Sequence, residues 1–529
     1  MNTENVIIKD WRKIDISFGL VYPNVYKLGM SSYSIRLLYY LINSFENIAC
    51  ERIFLPENIK ITYPATNDYS PKKILHSLEN KILPEEFDIL GFSLHFENDF
   101  KNVLWILEKA EIPLTCQDRY NISNENSKQF PIIIGGGPVV TSNPIPLSKY
   151  FDILFIGDAE ESLKSFFESF QHYKNGDLKY REFLDKLVLI EGIYIPGLKN
   201  KVNRATIKNL DDSTTPIFQL ISKSYEKKPI FEANFFLEIN RGCPYQCKFC
   251  ISSFHNSPFR NRSYENIKQN IDDGLKYSNF DTISFIGSCV SSHPKFMEIC
   301  EYIINKGKRI SLPSIRIDHL NSNIIKILEK ANIKTITLAP EAGSERLRFG
   351  LGKMIPNDKI ISILTQIKAS LIKNVKLYFL IGLPGEKDED IDEIIDILRI
   401  FNNLGFERDT IRVNINPFIP KLNTPYGKEI FYYLNENYLD LIKKYQKLER
   451  GLKNISSIKL KFKNFKSIIK NARLQTIISL GNEQIADLLL YYYNNGASFA
   501  SLDKAEKRLN ISINDYLQQI KECYTPWFI

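Results

Sequence analysis

Three cysteines on one short segment carry the clearest chemical signal in this sequence. Cys243, Cys247 and Cys250 follow a C-x3-C-x2-C spacing, and an aromatic residue, Phe249, directly precedes the third cysteine. Three thiolates at this spacing hold three irons of a [4Fe–4S] cube, and the fourth iron stays open because no fourth cysteine lies nearby in the sequence. The segment therefore predicts an iron–sulfur cluster with one iron available for chemistry.

Two other uses of these cysteines agree less well with the sequence. A structural zinc site takes four ligands, usually as two separated pairs, and the nearest further candidate ligand is His255. A disulfide framework is typical of short secreted chains, whereas this chain has eight cysteines in 529 residues. The remaining five cysteines stand singly, at Cys50, Cys116, Cys289, Cys300 and Cys523.

Composition is that of a soluble globular protein with several domains. Hydrophobic residues make up 44% of the chain and charged residues 25%, and the net charge is +8. No run of about twenty apolar residues occurs, and the first residues lack the order of a signal peptide. We therefore expect a cytoplasmic protein, in which the mild positive charge permits contact with an anionic membrane surface or nucleic acid without indicating either.

The elements of the first 200 residues alternate between strands and helices. Strands are predicted at 17–22, 53–55, 88–94, 131–134 and 151–156, and helices at 34–43 and 100–110. This alternation is typical of a Rossmann-like, doubly wound parallel sheet, which binds ligands at the carboxyl ends of its strands. Four glycines fall at that edge, where a bulky ligand could approach the backbone: Gly135, Gly136, Gly137 and Gly157.

A second alternation follows a polar connector predicted at 201–228. Its strands are predicted at 233–240, 282–286, 309–317, 334–339, 376–381 and 410–416. Six strand–helix units fit a partial (βα)6 barrel of the TIM type, whose functional loops follow the strands. The sequence thus predicts an α/β protein with a first domain at 1–200, a barrel at 229–420 and a helical C-terminal domain at 421–529.

The cysteine segment resembles the radical SAM superfamily residue for residue. This resemblance implies that the open iron binds S-adenosylmethionine and that an electron from the cluster cleaves it to a 5′-deoxyadenosyl radical. Four later segments, 285–294, 312–318, 339–346 and 381–386, lie where that superfamily has its SAM-binding loops. The resemblance implies cofactor contacts for Phe249, Gly287, Ser288, Ser314, Arg316, Glu341, Gly382 and Gly385.

Cys289 directly follows the first of these loops, near the expected meeting point of substrate and radical. We predict that its thiol donates a hydrogen atom, although a small buried residue is the commoner role of a free cysteine.

The first domain resembles the cobalamin-binding domains of some radical SAM enzymes. The resemblance implies bound cobalamin at the edge marked by the four glycines. A D-x-H-x-x-G segment, which would supply an imidazole to cobalt, is absent, and His95 is the only histidine near the expected edge. We therefore predict cobalamin without a protein imidazole on the metal.

The resemblance also implies a reaction class. Such enzymes functionalise an unactivated carbon by C-methylation, cyclisation or C–C bond formation, with an electron donor such as ferredoxin or flavodoxin. Archaeal members form rings in tetraether lipids, so we predict a small-molecule or isoprenoid-lipid substrate, a peripheral membrane association, and no nucleic-acid partner. Four apolar residues are candidates to line a lipid path: Phe418, Tyr426, Trp527 and Phe528.

Two alternatives remain open. A methylthiotransferase acting on tRNA or protein needs three further cysteines in the first domain, which here has only Cys50 and Cys116. A non-catalytic iron–sulfur protein for electron transfer or sensing would have four cluster ligands and no SAM loops, which is the opposite of this pattern.

Overall fold

A computed structural model of the chain describes residues 6–57, 61–65, 75–126, 129–198, 201–219, 234–278, 280–433, 438–460, 464–519 and 527–528. The chain forms two compact units. The first contains residues 1–233 and 477–529, and the second contains residues 234–476. The predicted helical domain at 421–529 is therefore divided between the two units.

The first unit is built on a six-stranded sheet with the order β2-β1-β3-β4-β5-β6. All neighbours are parallel except β5 and β6. The strands are β1 Ile16–Val25, β2 Ile48–Leu55, β3 Ile89–Ser93, β4 Ile132–Gly136, β5 Ile153–Phe155 and β6 Ile193–Tyr194. The expected parallel α/β sheet is confirmed.

Helices flank this sheet because the strands are apolar on both faces, so both faces need cover. Phe166, Phe167 and Phe170 of one helix pack with Phe18 of β1 in the buried core. The α-helices that precede the second unit are Tyr26–Gly29, Tyr33–Ser44, Phe100–Lys109, Cys116–Asn126, Pro138–Ser142, Ala159–Lys174 and Tyr180–Leu187.

Three helices from the end of the chain belong to the first unit: Glu483–Asn494, Phe499–Leu509 and Ile513–Gln519. Asn143 donates hydrogen bonds to the carbonyls of Ser479 and Gly481, and Tyr150 donates one to the carbonyl of Ala486. These contacts join segments more than 300 residues apart in sequence.

The segment at 201–219, predicted as a loose connector, is folded into the first unit. It begins with the short strand β7, Val202–Asn203, which pairs with Trp527–Phe528. Val202, Ile207 and Leu210 are buried. The rest of the predicted connector, from residue 220, lies outside the described residues.

The second unit contains two sheets with the orders β8-β11-β12 and β13-β14-β15-β16, all parallel. A parallel bridge between Ile315 and Leu338 links them. Within the described residues, no pairing closes the array between β8 and β16. The strands, including a short antiparallel pair β9–β10, are β8 Asn234–Glu238, β9 Asn240–Arg241, β10 Arg260–Asn261, β11 Thr282–Ile286, β12 Arg309–Ser311, β13 Thr335–Glu341, β14 Asn374–Ile381, β15 Ile411–Pro417 and β16 Ile458–Leu460.

Each strand of the two parallel sheets has one face in a large aliphatic core. Val375, Leu377 and Phe379 of β14, for example, join Ile363 and Ile394 of the adjacent helices. The helices are Ile251–His255, Tyr264–Tyr277, Phe296–Asn305, Ser322–Lys330, Glu345–Gly350, Asn357–Lys368, Asp388–Asn403 and Tyr438–Leu452, and Phe465–Leu480 spans the boundary with the first unit. Because successive side chains of a strand point to opposite faces, the polar residues that alternate with these apolar ones lie on the other face of the sheets.

In the described part of the chain, no helix is both long and apolar enough to cross a membrane.

Candidate functional site

The cysteine loop begins where β8 and β9 end. Gly242 has a φ of +84°, and a Cβ there would lie 2.3 Å from the carbonyl oxygen of Asn256. Glycine is required at this point because both the left-handed backbone and the close approach exclude a side chain. The loop is thereby closed on itself between Gly242 and Asn256, with all three cysteines inside it.

The middle of the loop is fixed by its backbone. The amide of Lys248 donates to the carbonyl of Leu351, and the amide of Tyr426 donates to the carbonyl of Lys248. Phe249 packs against a small apolar cluster that contains Leu351 and Leu383. Phe249, predicted to contact the cofactor, is thus partly buried and holds the loop against its neighbours.

Cys247 lies close to two cations. Arg316 Nη1 is 4.0 Å from Cys247 Sγ, and the charge of Lys353 also acts on this thiol. Burial raises the pKa of Cys247, and the two cations oppose that rise. Thiolate donors beside two positive charges suit an anionic iron–sulfur cluster, so the donor set fits the predicted cofactor.

Cys243 is turned toward Cys289. The hydrogen bond between the two thiols raises the pKa of Cys243 and lowers the pKa of Cys289 to about 7. Across the described ranges, no three His, Cys, Asp or Glu side chains are grouped closely enough to hold a metal ion. The structure thus places the three cysteines on one loop without bringing their side chains together.

Cys289 itself is buried, and both its carbonyl and its thiol have hydrogen-bond partners. Its carbonyl accepts a hydrogen bond from Asn240, and its thiol lies 3.0 Å from Ser292 Oγ. The thiol is therefore near the cluster loop, as expected from the sequence, and its role as a hydrogen donor stays a prediction.

Gly287 has a steric role. A Cβ at this position would lie 2.2 Å from Asn240 Oδ1, so only glycine lets the loop after β11 approach Asn240. Asn240 is completely buried. Ser288, the next predicted contact, is exposed.

Arg316 is not on a continuous third strand. The predicted strand at 309–317 ends at Ser311, and Pro313, which lacks a backbone N–H, interrupts it. Ser314 is exposed while Arg316 is half-buried, so the two differ in burial although the predicted strand gave them the same orientation.

The Arg316 guanidinium already has partners in this structure. It forms a fork to the carboxylate of Asp318 and lies over the ring of Tyr245, 3.5 Å from its centroid. Tyr245 is hydrogen-bonded to His319, whose other ring nitrogen lies 2.8 Å from Ser291 Oγ. The arrangement connects the cysteine loop with the loops after β11 and β12.

Glu341 ends β13 in a left-handed conformation, with a φ of +72°. Its carboxylate accepts a hydrogen bond from Lys353 Nζ at 2.9 Å, and Lys353 also donates to the carbonyl of Ala339. The ion pair is nearly buried, with side chains 8% and 13% exposed. Glu341 is therefore oriented by the same lysine whose charge acts on Cys247.

The loop after β14 is organised by Glu386. Both of its carboxylate oxygens accept from the amide of Gly382 at 3.0 Å, and Lys444 donates to it at 2.7 Å. Gly382 has a φ of +80°, and a Cβ there would lie 2.6 Å from Leu441. Gly385 is also left-handed, with a φ of +73°, but faces open space. Of the two predicted glycines, only Gly385 has room for a ligand.

In the first unit, the four glycines at the strand ends contact the chain itself. A Cβ at Gly137 would lie 2.6 Å from the carbonyl oxygen of Leu94, and one at Gly157 would lie 2.3 Å from that of Ala205. Gly135 faces Leu154 and Phe151, and Gly136 faces Phe155. Close packing inside the unit explains glycine at 135, 137 and 157, whereas a Cβ at Gly136 would make only an ordinary contact of 3.6 Å.

The loop after β3 offers buried polar atoms instead. Asn98 Oδ1 and Asp99 Oδ2 are buried and have no hydrogen-bond partner among the described residues. His95, in the same loop, is bonded to Ser34 at 2.8 Å, and burial lowers its pKa to about 4. An edge with unused acceptors suits a ligand that carries amide donors, as cobalamin does.

Three residues that contact the loops of the second unit were not predicted from the sequence: Asn240, Lys353 and Lys444. Lys353 follows a helix within a glycine-flanked turn, and no spacing rule links it to Cys247, which lies 106 positions earlier. Asn240 is adjacent to the cysteine segment, so its position was the only available signal. Lys444 lies on a helix beyond the predicted barrel.

Comparison with known proteins identifies both units. Residues 34–196 match the family model for radical SAM proteins, N-terminal, and residues 237–398 match that for the radical SAM superfamily. The uncharacterized protein MJ0966 of Methanocaldococcus jannaschii is 29% identical over 92% of this chain and 93% of its own length.

Two more distant similarities are to a relative matched over part of the chain and to a solved structure. The putative methylthiotransferase MJ0865 of the same organism is 25% identical, and the chain spans about half of its length. The structure of the radical S-adenosylmethionine methyltransferase TsrM from Kitasatospora setae, with cobalamin and a [4Fe–4S] cluster bound, superposes with a TM-score of 0.54 at 13% identity, over 79% of this chain and 78% of TsrM. This likeness shows the fold.

The two family matches cover most of the strand residues in the parallel sheets of both units, and the second match begins six residues before the first cysteine of the loop. Members of this family use a [4Fe–4S] cluster and S-adenosylmethionine. The chain therefore belongs to the radical SAM superfamily and is one of its enzymes, with an N-terminal radical SAM domain preceding the catalytic one.

Proposed function

We propose that this enzyme functionalises an unactivated carbon, by C-methylation, cyclisation or C–C bond formation, and that its first unit binds cobalamin. The observation that carries the proposal is the cysteine loop, with Cys247 between Arg316 and Lys353 and with the predicted SAM loops at the same strand ends. When bound, the cluster supplies one electron that cleaves S-adenosylmethionine to methionine and a 5′-deoxyadenosyl radical.

The side chains around the loop would bind and orient the cofactors. Arg316 carries a fork of donors for a carboxylate once Asp318 releases it, and Glu341, fixed by Lys353, is an acceptor for hydroxyl or ammonium groups. Gly385 leaves space for a flat ring at the loop after β14.

Cobalamin binding is supported by two observations in the first unit. Its parallel sheet belongs to the fold shared with TsrM, and the loop after β3 holds the unpartnered acceptors of Asn98 and Asp99. Purification from cobalamin-replete cells should give a corrinoid absorption spectrum that His95→Ala leaves unchanged, because the imidazole is not expected on cobalt. A corrinoid-free protein after reconstitution would contradict this part of the proposal.

An isoprenoid lipid was expected as substrate, and the structure alters that expectation in one respect. Phe418 is only 3% exposed and packs in the same cluster as Phe249 and Tyr426. It is thus unavailable to line a lipid path. The side chains of Trp527 and Phe528 lie outside the described residues.

The experiment is anaerobic reconstitution with iron, sulfide, S-adenosylmethionine and dithionite, followed by measurement of bound iron and 5′-deoxyadenosine. The triple variant Cys243→Ala, Cys247→Ala, Cys250→Ala should lose the cluster absorption and all cleavage. Cys300→Ala is the matched control, because Cys300 is a buried thiol in the helix Phe296–Asn305. About four irons per chain in the triple variant would contradict the assignment.

A second candidate function is methylthio transfer, which the similarity to putative methylthiotransferases favours. An auxiliary cluster would need three cysteines in the first domain, residues 1–200, which has only two. Cys50 lies inside β2 with its side chain in the core, and Cys116 is at the start of a helix, so this pair offers no ligand set. The two functions can be separated by comparing a deletion strain with its parent strain. If the product missing from the deletion strain contains no added sulfur, methylthio transfer is excluded.

A further inference from the structure

A row of positive charge crosses the polar face of the second unit's sheet. Lys376 of β14 pairs in register with Arg412 of β15, which pairs in register with Lys459 of β16. Register partners on neighbouring strands point to the same face and stand about 4.8 Å apart. Their neighbours in sequence, such as Val375 and Val413, are buried against helices, so the cations lie on the opposite face.

These cations line a cavity. Its volume is about 340 Å³, and its six lining residues are Lys376, Tyr378, Arg412, Asn414, Lys459 and Leu460. No lining residue is acidic. Tyr378 and Asn414, which pair with each other, lie two residues after Lys376 and Arg412 and therefore on the same face of the sheet. The cavity therefore presents hydrogen-bond donors and positive charge together.

The three cations also lack counter-charges. Among the described residues, no ion pair or side-chain hydrogen bond involves Lys376, Arg412 or Lys459. Other charges at the ends of these sheets are paired, as Glu238 is with Arg241 and Glu341 with Lys353. Like charges on adjacent strands repel one another, so an unpaired row of three is suited to a bound anion.

We propose that this row binds an anionic group of the substrate, a carboxylate or a phosphate, through Lys376, Arg412 and Lys459. The inference rests on the proposed function, which it extends by naming the substrate class. Lys376 precedes Gly382 by six residues, or about 20 Å along an extended strand. The substrate accordingly extends along the strands, with its charge at one end and its reacting carbon toward the cluster loop.

Binding can be measured without the natural substrate. The full-length protein is titrated with inorganic phosphate and with acetate by calorimetry, at an ionic strength held constant with sodium chloride. At least one anion should bind, and Arg412→Gln should weaken that binding about tenfold, since a charge-assisted hydrogen bond is lost. Preference for phosphate indicates a phosphate ester, and preference for acetate indicates a carboxylate.

Lys373→Gln is the matched control, because Lys373 is exposed immediately before β14 and lies outside the cavity. It should bind as the unaltered chain does. Equal binding by the unaltered chain and by the variant Lys376→Gln, Arg412→Gln, Lys459→Gln overturns the proposal. A second result would also overturn the proposal: neither small anion binds, while bulk tRNA binds in a salt-sensitive manner and this binding is lost in the triple variant. The three cations would then bind RNA.

Stability gives an independent readout. Because the three cations of the row repel one another, Arg412→Gln should raise the melting temperature in low-salt buffer without phosphate or acetate, whereas Lys373→Gln should not. A lower melting temperature would identify Arg412 as a structural residue and overturn the proposal. The triple cysteine variant should still bind the anion, so failure of the anion site and failure of the radical function are distinguishable.

Discussion

Lys444→Met is expected to destabilise the second unit strongly. Lys444 and Glu386 form an ion pair whose side chains are 9% and 1% exposed. Glu386 also accepts from the amides of Gly382 and Leu383, so its charge holds the loop after β14. Burial raises the pKa of Glu386 while Lys444 opposes that rise. Methionine keeps the bulk of lysine and removes only the charge and the donors.

The magnitude follows from leaving one buried charge without its partner. Breaking a buried pair costs about 3–5 kcal/mol. In a domain of 150–250 residues, this loss lowers the melting temperature by about 6–20 °C. Calorimetry measures the change in melting temperature. Tryptophan fluorescence shows which unit unfolds, because Trp11, Trp105 and Trp527 all belong to the first unit and should not report unfolding of the second.

Lys447→Met is the control on the same helix. Lys447 pairs with Asp392 at 2.7 Å, but the two side chains are 37% and 50% exposed, so the expected cost is below about 1 kcal/mol. Adding Glu386→Gln to Lys444→Met should restore part of the stability, since no buried charge remains. Equal effects of Lys444→Met and Lys447→Met would refute the reasoning.

Two further predictions concern the second unit and the first unit in turn. Gly382→Ala should cost about 3 kcal/mol, because its Cβ meets Leu441 at 2.6 Å in a left-handed backbone, whereas Gly385→Ala, which faces open space, should cost about 1 kcal/mol by the same thermal assay. Burial raises the pKa of Asp99 to about 6, so the folded state binds this proton more tightly and stability falls as pH rises from about 4 to 6. Asp99→Asn should therefore stabilise the first unit at pH 8, and this gain in the free energy of unfolding should shrink toward pH 4. Urea unfolding followed by tryptophan fluorescence measures the gain. A gain that does not change with pH would contradict the pKa shift.

The strands were the most predictable part of this fold. Buried parallel strands are short apolar runs, and the predicted strand at 282–286 coincides with β11, while that at 410–416 differs from β15 by one residue at each end. Long-range packing was not predictable, because nothing in the sequence near Glu483–Asn494 indicates that this helix joins the first unit. The interruption at Pro313 was readable in principle, since proline disrupts strand pairing.

The candidate site was predictable where chemistry depends on local spacing. The three cysteines and the loops that follow the strands were found because they are contiguous in sequence. Lys353 was not found, because its position beside Cys247 and Glu341 depends on the turn that carries Leu351 to Lys248. The glycines at 137 and 157 were predicted to lie beside a ligand, and each also lies against a neighbouring backbone, which imposes the same steric demand.

The division of the first unit between two distant parts of the chain also has a consequence for biosynthesis. When residues 234–476 have left the ribosome, that unit is complete, whereas the first unit still lacks residues 477–529, including the three helices described there. Domains generally fold as units during synthesis. The unit with the cysteine loop is therefore expected to fold first, because the partners of Asn143 and Tyr150 are synthesised only after residue 476.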